Sequence, residues 1–167
     1  MSTTICEQIV SALIDDLNTG RPGGVPLIER DRWVDVESDT LPVVTLSGWE
    51  DDPVEHQDDN VPLDERLLAL HFEIYSYGTP QTTTGSLPDG LTTVPAVPPS
   101  RAVDAMWEWI TRRCGVPDSS SPWADLGVAS IRCGKRLAVV GKGNFVRSLC
   151  VLIVKYQNVV NDATRAG

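Results

Sequence analysis

The segment Phe145 to Tyr156 admits few placements in a fold. Val146, Ser148, Cys150, Leu152 and Val154 alternate along it with Arg147, Leu149, Val151, Ile153 and Lys155. Period two assigns a strand, and both of its faces are largely apolar. Such a strand is central in a sheet or covered by a neighbouring subunit. A second strand, within Leu63 to Tyr77, is the clearest in the chain. Leu68, Leu70, Phe72 and Ile74 fall on one side, and Leu67, Ala69, His71, Glu73 and Tyr75 on the other.

Helical spacing appears twice. Ile5, Ile9, Leu13 and Leu17 recur every four residues, widened by Cys6, Val10 and Ile14 into an apolar stripe. Ser2, Thr3 or Thr4 can cap this helix, and Asn18 to Gly20 offers a residue able to take positive φ at its end. A second helix is expected over Arg101 to Cys114, capped by Ser100 and closed by Gly115. Its apolar face is Val103, Met106, Trp107 and Ile110, with Trp109 pointing partly away.

Further strands are expected at Leu41 to Leu46, at Leu126 to Arg132 and, as a short piece, at Leu137 to Val140. The mixed stretch Ile28 to Val36 reads as an irregular or edge strand anchored by Trp33. Two long loops complete the chain. Residues 50–62 open with six acids in the eleven positions from Glu50 to Asn60, which reads as a solvated loop. Residues 79–100 hold five prolines and a single charge, a Pro/Thr-rich insertion between two well-defined elements. The order of elements gives an α+β class: an N-terminal helix and a mainly antiparallel sheet with a second helix packed on it. At 167 residues one domain is expected, over 1–157, with 158–167 as a flexible C-terminal tail.

Charge and composition narrow the function. The net charge of −9 disfavours a general nucleic-acid binder, which needs a basic face to displace counterions. The charge is also lopsided. Residues 1–66 carry 16 acidic and 4 basic side chains, whereas residues 67–167 carry 7 and 10. This is either a solvated acidic face or a pair of unlike faces that steer copies of the chain together head to tail. No membrane span or signal peptide is expected, which gives a cytoplasmic product.

No motif marks a catalytic, cofactor or metal site. Cys6, Cys114, Cys133 and Cys150 include no C-x-x-C pair, and neither His56 nor His71 is spaced to complete a zinc site. Gly141 to Gly143 lacks the phosphate-loop spacing and precedes a strand, so a hairpin turn is the better reading. The acids Asp51, Asp52, Asp58 and Asp59 miss the calcium-loop pattern, and no G-x-S-x-G elbow is present. Trp107 belongs to the core by its spacing, whereas Trp49, at the lip of the acidic stretch, and Trp123, after Ser119 to Pro122, are balanced between core and interface anchor. With Arg132, Arg147 and Lys155 on the second half, these give the candidate interface residues.

Three local patterns lie in register with this order of elements. They are the N-terminal amphipathic helix leading to Leu41–Val44, the strand Glu65–Ile74, and Val146–Tyr156. Together they resemble the tail terminator, or tail completion, proteins of long-tailed bacteriophages. The 79–100 insertion and the acidic 50–59 stretch depart from that family's pattern. The resemblance implies a non-enzymatic virion protein of the tail or neck, assembled in the host cytoplasm. It implies a homo-oligomeric ring, a hexamer, that caps the tail tube, stops its polymerisation and joins it to the head. Its partners would be its own copies, the tube protein and the connector or neck proteins, with DNA passing the lumen unbound. Asp51, Asp52, Asp58 and Asp59 are the candidates for a lumen loop that repels DNA phosphates. A head–tail connector or head-closure ring is the alternative among structural proteins. A small cytoplasmic ligand-binding or enzymatic α+β domain is the alternative of another class.

Overall fold

The computed structural model describes residues 4–35, 41–54, 63–77, 81–84, 93–97, 99–115, 121–140, 145–159 and 162–166. The first helix, α1, spans Ile5–Thr19 and buries the whole expected stripe from Ile5 to Leu17. Thr4 caps it, its hydroxyl accepting from the Glu7 N–H at 3.3 Å. The helix does not end in a left-handed residue: Gly20 has φ −84°. A Cβ there would lie 2.7 Å from the Arg113 Cζ, so a larger residue at this position would displace that side chain. That guanidinium crosses Gly20 to donate to both carboxylate oxygens of Asp16, at 2.7 and 2.8 Å.

Strand β1, Ile28–Arg30, is an edge strand running parallel to β2, Val43–Pro53. The Asn18 side chain fastens β1 to the end of α1. It donates to the Ile28 carbonyl at 3.0 Å and accepts from the Ile28 N–H at 2.9 Å. Trp33 is no anchor: it is 90 % exposed. The chain reaches it through Asp31, whose φ of 51° turns it away from β2 after its N–H donates to the Leu46 carbonyl.

The central pair is β3, Leu63–Tyr77, and β7, Phe145–Val159, antiparallel along their full length from Leu63↔Val159 to Tyr77↔Phe145. Beyond Tyr77 come β4, Gln81–Thr84, and β5, Thr93–Val97, which pair with each other as a separate antiparallel ribbon. Helix α2, Pro99–Cys114, and β6, Val128–Val140, follow, and β8, Asp162–Ala166, pairs with the end of β7. The sheet order is β1-β2-β3-β7-β6, with β8 on β7 and every pairing except β1–β2 antiparallel. The α+β class and the interior position of β7 are as expected.

Several boundaries differ from the sequence reading, and for the strands the reason is a partner strand that supplies what composition does not show. The acidic stretch is not loop from its start. β2 continues past a register shift at Leu46/Gly48, and Asp51 and Asp52 pair with Leu68 and Leu67 of β3. The 79–100 insertion holds the β4–β5 ribbon, built on β-branched Thr and Val. Helix α2 begins at Pro99, a residue suited to a first helical position, so Ser100 lies inside the helix. β6 is one strand: the glycine at 134 marks a bulge where β7 comes close, with a Cβ there 3.1 Å from Ile153 Cδ1 and from the Val151 carbonyl. Of the expected tail, the described residues belong to the sheet, since β7 runs to Val159 and β8, Asp162–Ala166, pairs with it.

Both helices cover one face of this sheet. Val103, Met106, Trp107 and Ile110 of α2 and the α1 stripe enclose Leu68, Leu70, Phe72 and Ile74 of β3 with Cys150, Leu152, Val154 and Tyr156 of β7.

Candidate interaction surface

The side chains of opposite parity form the second face of the sheet, and they stand outside the core cluster. Leu67 and Ala69 of β3 lie beside Leu149, Val151 and Ile153 of β7, all half-buried. Leu137 of β6, opposite Leu149, extends the row and is 46 % exposed. An apolar row in the middle of a sheet with no helix of the described residues packed on it is the kind of patch that contacts use.

Ion pairs bound the row at both ends. Lys155 Nζ lies 2.8 Å from Glu65 Oε1. At the other end Arg147 grips Glu73 with two hydrogen bonds of 2.6 and 2.9 Å. The Tyr75 hydroxyl also donates to Glu73, and the Arg147 guanidinium sits 5.8 Å above the Tyr75 ring. Burial pushes the Tyr75 phenol up, and the bond to Glu73 adds to it, to about 12. Burial alone would raise the Glu73 carboxyl, but Arg147 and Tyr75 overcome it and hold the group below its ordinary value of 4.5.

A depressed folded-state value means that Glu73 stabilises the fold above the ordinary carboxylate range, and that this contribution is lost as pH falls through the folded value. Glu73→Gln is therefore expected to flatten the acid limb of stability. Urea midpoints measured from neutral pH down through the carboxylate range check it, and a variant with an unaltered acid limb would contradict it.

Beside this cluster the chain after β1 walls a groove of about 540 Å³. Arg32 and the exposed Trp33 form one side, and Glu73, Tyr75 and Arg147 form the floor. Aromatic rings, a bound carboxylate and guanidinium groups meet there. Such a groove can hold a small polar ligand or a protruding side chain of another protein.

The candidate residues that the structure describes fall into three groups. Arg132 is exposed on the edge strand β6, and Asp52 is exposed on β2. Arg147 and Lys155 line the open face but are tied in ion pairs. Trp49, Trp123 and Asp51 belong to the covered side, so the core alternative describes the two tryptophans. Trp123 is 2 % exposed in the core. Trp49 packs against the core, with the Arg30 guanidinium 4.7 Å above its ring, and Arg30 in turn pairs with Glu7 at 2.6 Å. Asp51 points under the helices, where Arg66 Nε donates to both its oxygens at 3.1 Å and the Tyr156 hydroxyl donates at 3.0 Å. Asp58 and Asp59, with His56, lie outside the described residues.

The sequence reading missed Trp33 and the cluster of Glu73, Tyr75 and Arg147. Glu73 and Tyr75 share a face by period two, but pairing them with Arg147 requires the β3–β7 register, and no local pattern encodes that.

The three buried cysteines offer no nucleophile that the surroundings activate. All four are unpaired, and Cys6, Cys114 and Cys150 are buried. Burial pushes the thiols of Cys6 and Cys150 up to about 11 and that of Cys114 up to about 12, opposite to what a reactive thiolate needs. Among the described residues no three or more His, Cys, Asp or Glu side chains are grouped to hold a metal ion, and no helix is long and apolar enough to cross a membrane. No protein-family model matches the sequence, and no curated protein is detectably similar to it.

Proposed function

We propose that this chain is a structural assembly subunit, a phage tail terminator whose copies form a ring, a hexamer, on the end of the tail tube. The ring stops tube growth and offers its other face to the neck of the head, while DNA passes through its lumen. The observation that carries the reading is the sheet face left open by both helices, with the row from Leu67 to Leu137 bounded by the Glu73–Arg147 and Glu65–Lys155 pairs. A subunit of this size gains more from covering such a row against a copy of itself or a tube end than from solvating it. The resemblance of the sequence to tail terminators supports the same reading and supplies the tube as partner. The protein would act in the virion by surface complementarity and without catalysis. Of the four acids proposed for the lumen, Asp52 stands exposed on β2 and Asp51 is tied to Arg66 and Tyr156.

Electron microscopy of the purified protein, alone and with phage tail tubes, tests the reading. Rings at tube ends are the expected result, and rings that bind only the portal side would favour a head–tail connector. Leu137→Glu, on an exposed site of an edge strand, is expected to leave the fold intact and abolish tube-end binding. A chain that ignores tubes in both forms would overturn the proposal. The groove beside Trp33 favours a second reading, a ligand-binding α+β domain. A stable monomer whose melting temperature rises with a small polar ligand would support it.

A further inference from the structure

Among the described strands the sheet has two free edges, and the exposed charges on them differ in sign. Beyond Leu46, β2 pairs only with β3 among the described strands, so the outer side of Ser47–Pro53 is open. It carries Glu50 and Asp52, both exposed and both without an ion-pair partner among the described residues. It ends at Pro53, which cannot donate to a ladder. On the opposite side β6 pairs, among the described strands, only with β7 along Val128–Val140. That edge carries Arg132 and Lys135, also exposed and without an ion-pair partner among the described residues. The third cation there, Arg136, is occupied with Asp104 of α2. Two exposed acids thus stand at one edge and two exposed bases at the other.

We infer that copies of this chain join edge to edge, β6 of one subunit adding as a strand to the Ser47–Pro53 half of β2 in the next. Unpaired strand edges are templates for further pairing, and edge charges decide which partner is admitted. Two β6 edges would set Arg132 and Lys135 against their own copies, and two β2 edges would do the same with Glu50 and Asp52. Only the unlike pair neutralises both. Each joint leaves a free β2 edge on one end subunit and a free β6 edge on the other. The contact is therefore heterologous, and it closes into a ring or continues as a filament. The inference rests on the self-assembly part of the function proposed above and is independent of the phage tail.

Charge reversal tests it, with sedimentation of the full chain as readout and circular dichroism as the check of fold. Glu50→Lys with Asp52→Lys, and separately Arg132→Glu with Lys135→Glu, should each weaken self-association by about tenfold or more, since like edges then meet. The chain carrying all four substitutions again has unlike edges, and its association should return to within about threefold of the natural one. Recovery is the decisive sign, because mere damage to either strand would add and not cancel. Association unmoved by either double change, lost equally in the fourfold variant, or absent from the natural chain overturns the inference. Rings that respond to the swap but do not cap tail tubes leave it standing and remove the terminator reading. Rings that cap tubes and ignore the swap do the reverse.

Discussion

Phe72→Ala is expected to lower the unfolding free energy by about 3–5 kcal/mol, the cost of removing a large buried aromatic without refilling its space. Phe72 is fully buried near the middle of β3, between Leu46 of β2 and Cys150 of β7 in the pairing register. Its ring meets that of Trp107 on α2 at a centroid distance of 6.2 Å and a tilt of 52°, the edge-and-face range in which aromatic pairs attract. The site cannot collapse easily. The backbone below it is held by ladders on both sides, and α2 above it is tied to α1 by Arg113 and Asp16 and to β6 by Asp104 and Arg136. A domain of this kind has a total stability of about 5–15 kcal/mol, so the loss is a large share of it. Urea unfolding followed by tryptophan fluorescence measures it, and a loss below about 1 kcal/mol would mean that α2 does not pack on the sheet as described.

The sequence legibility of this fold follows the range of the forces involved. Alternation within β3 and β7 is local, and so is the stripe of α1, so both were readable from spacing alone. Whether Glu50–Pro53 is strand or loop is not local. Four residues with three acids have little strand preference, and they extend only because β3 runs beside them and Arg66 meets Asp51. The break expected between Arg132 and Leu137 is absent for the same reason, since a bulge differs from a turn only by the partner strand that continues past it. The C-terminal residues gave no apolar pattern, yet they lie on β7 where β6 leaves it unpaired beyond Tyr156. For the candidate surface, the charge asymmetry was legible as a count, and its division between two sheet edges needed the strand order. The tryptophans were the least legible. Size and apolarity are equal for Trp33 and Trp123, and only the path of the chain makes one 90 % exposed and the other 2 %.

Asp51 and Asp52 turn that distinction into a measurement, because they are adjacent in sequence and opposite in environment. Asp52→Ala, on an exposed position, is expected to change stability by no more than about 0.5 kcal/mol. Asp51→Ala removes the acceptor of the Arg66 guanidinium and of the Tyr156 hydroxyl at once. Tyr156 is 2 % exposed, so its hydroxyl has no ready replacement in water. Arg66 would keep its 3.0 Å contact with Asp64 and its bond to the Asp51 carbonyl. Breaking a fully buried pair costs about 3–5 kcal/mol, and the side chains here retain 22 % and 25 % exposure, so about 2–3 kcal/mol is expected after that discount. Asp51→Asn should fall between the two, since its amide oxygen still accepts from Tyr156 while the charge facing Arg66 is gone. Equal urea midpoints for Asp51→Ala and Asp52→Ala would return the acidic stretch to a solvated loop. A large gap between them would fix the register of β2 on β3, and with it the acidic edge that the proposed joint between subunits uses.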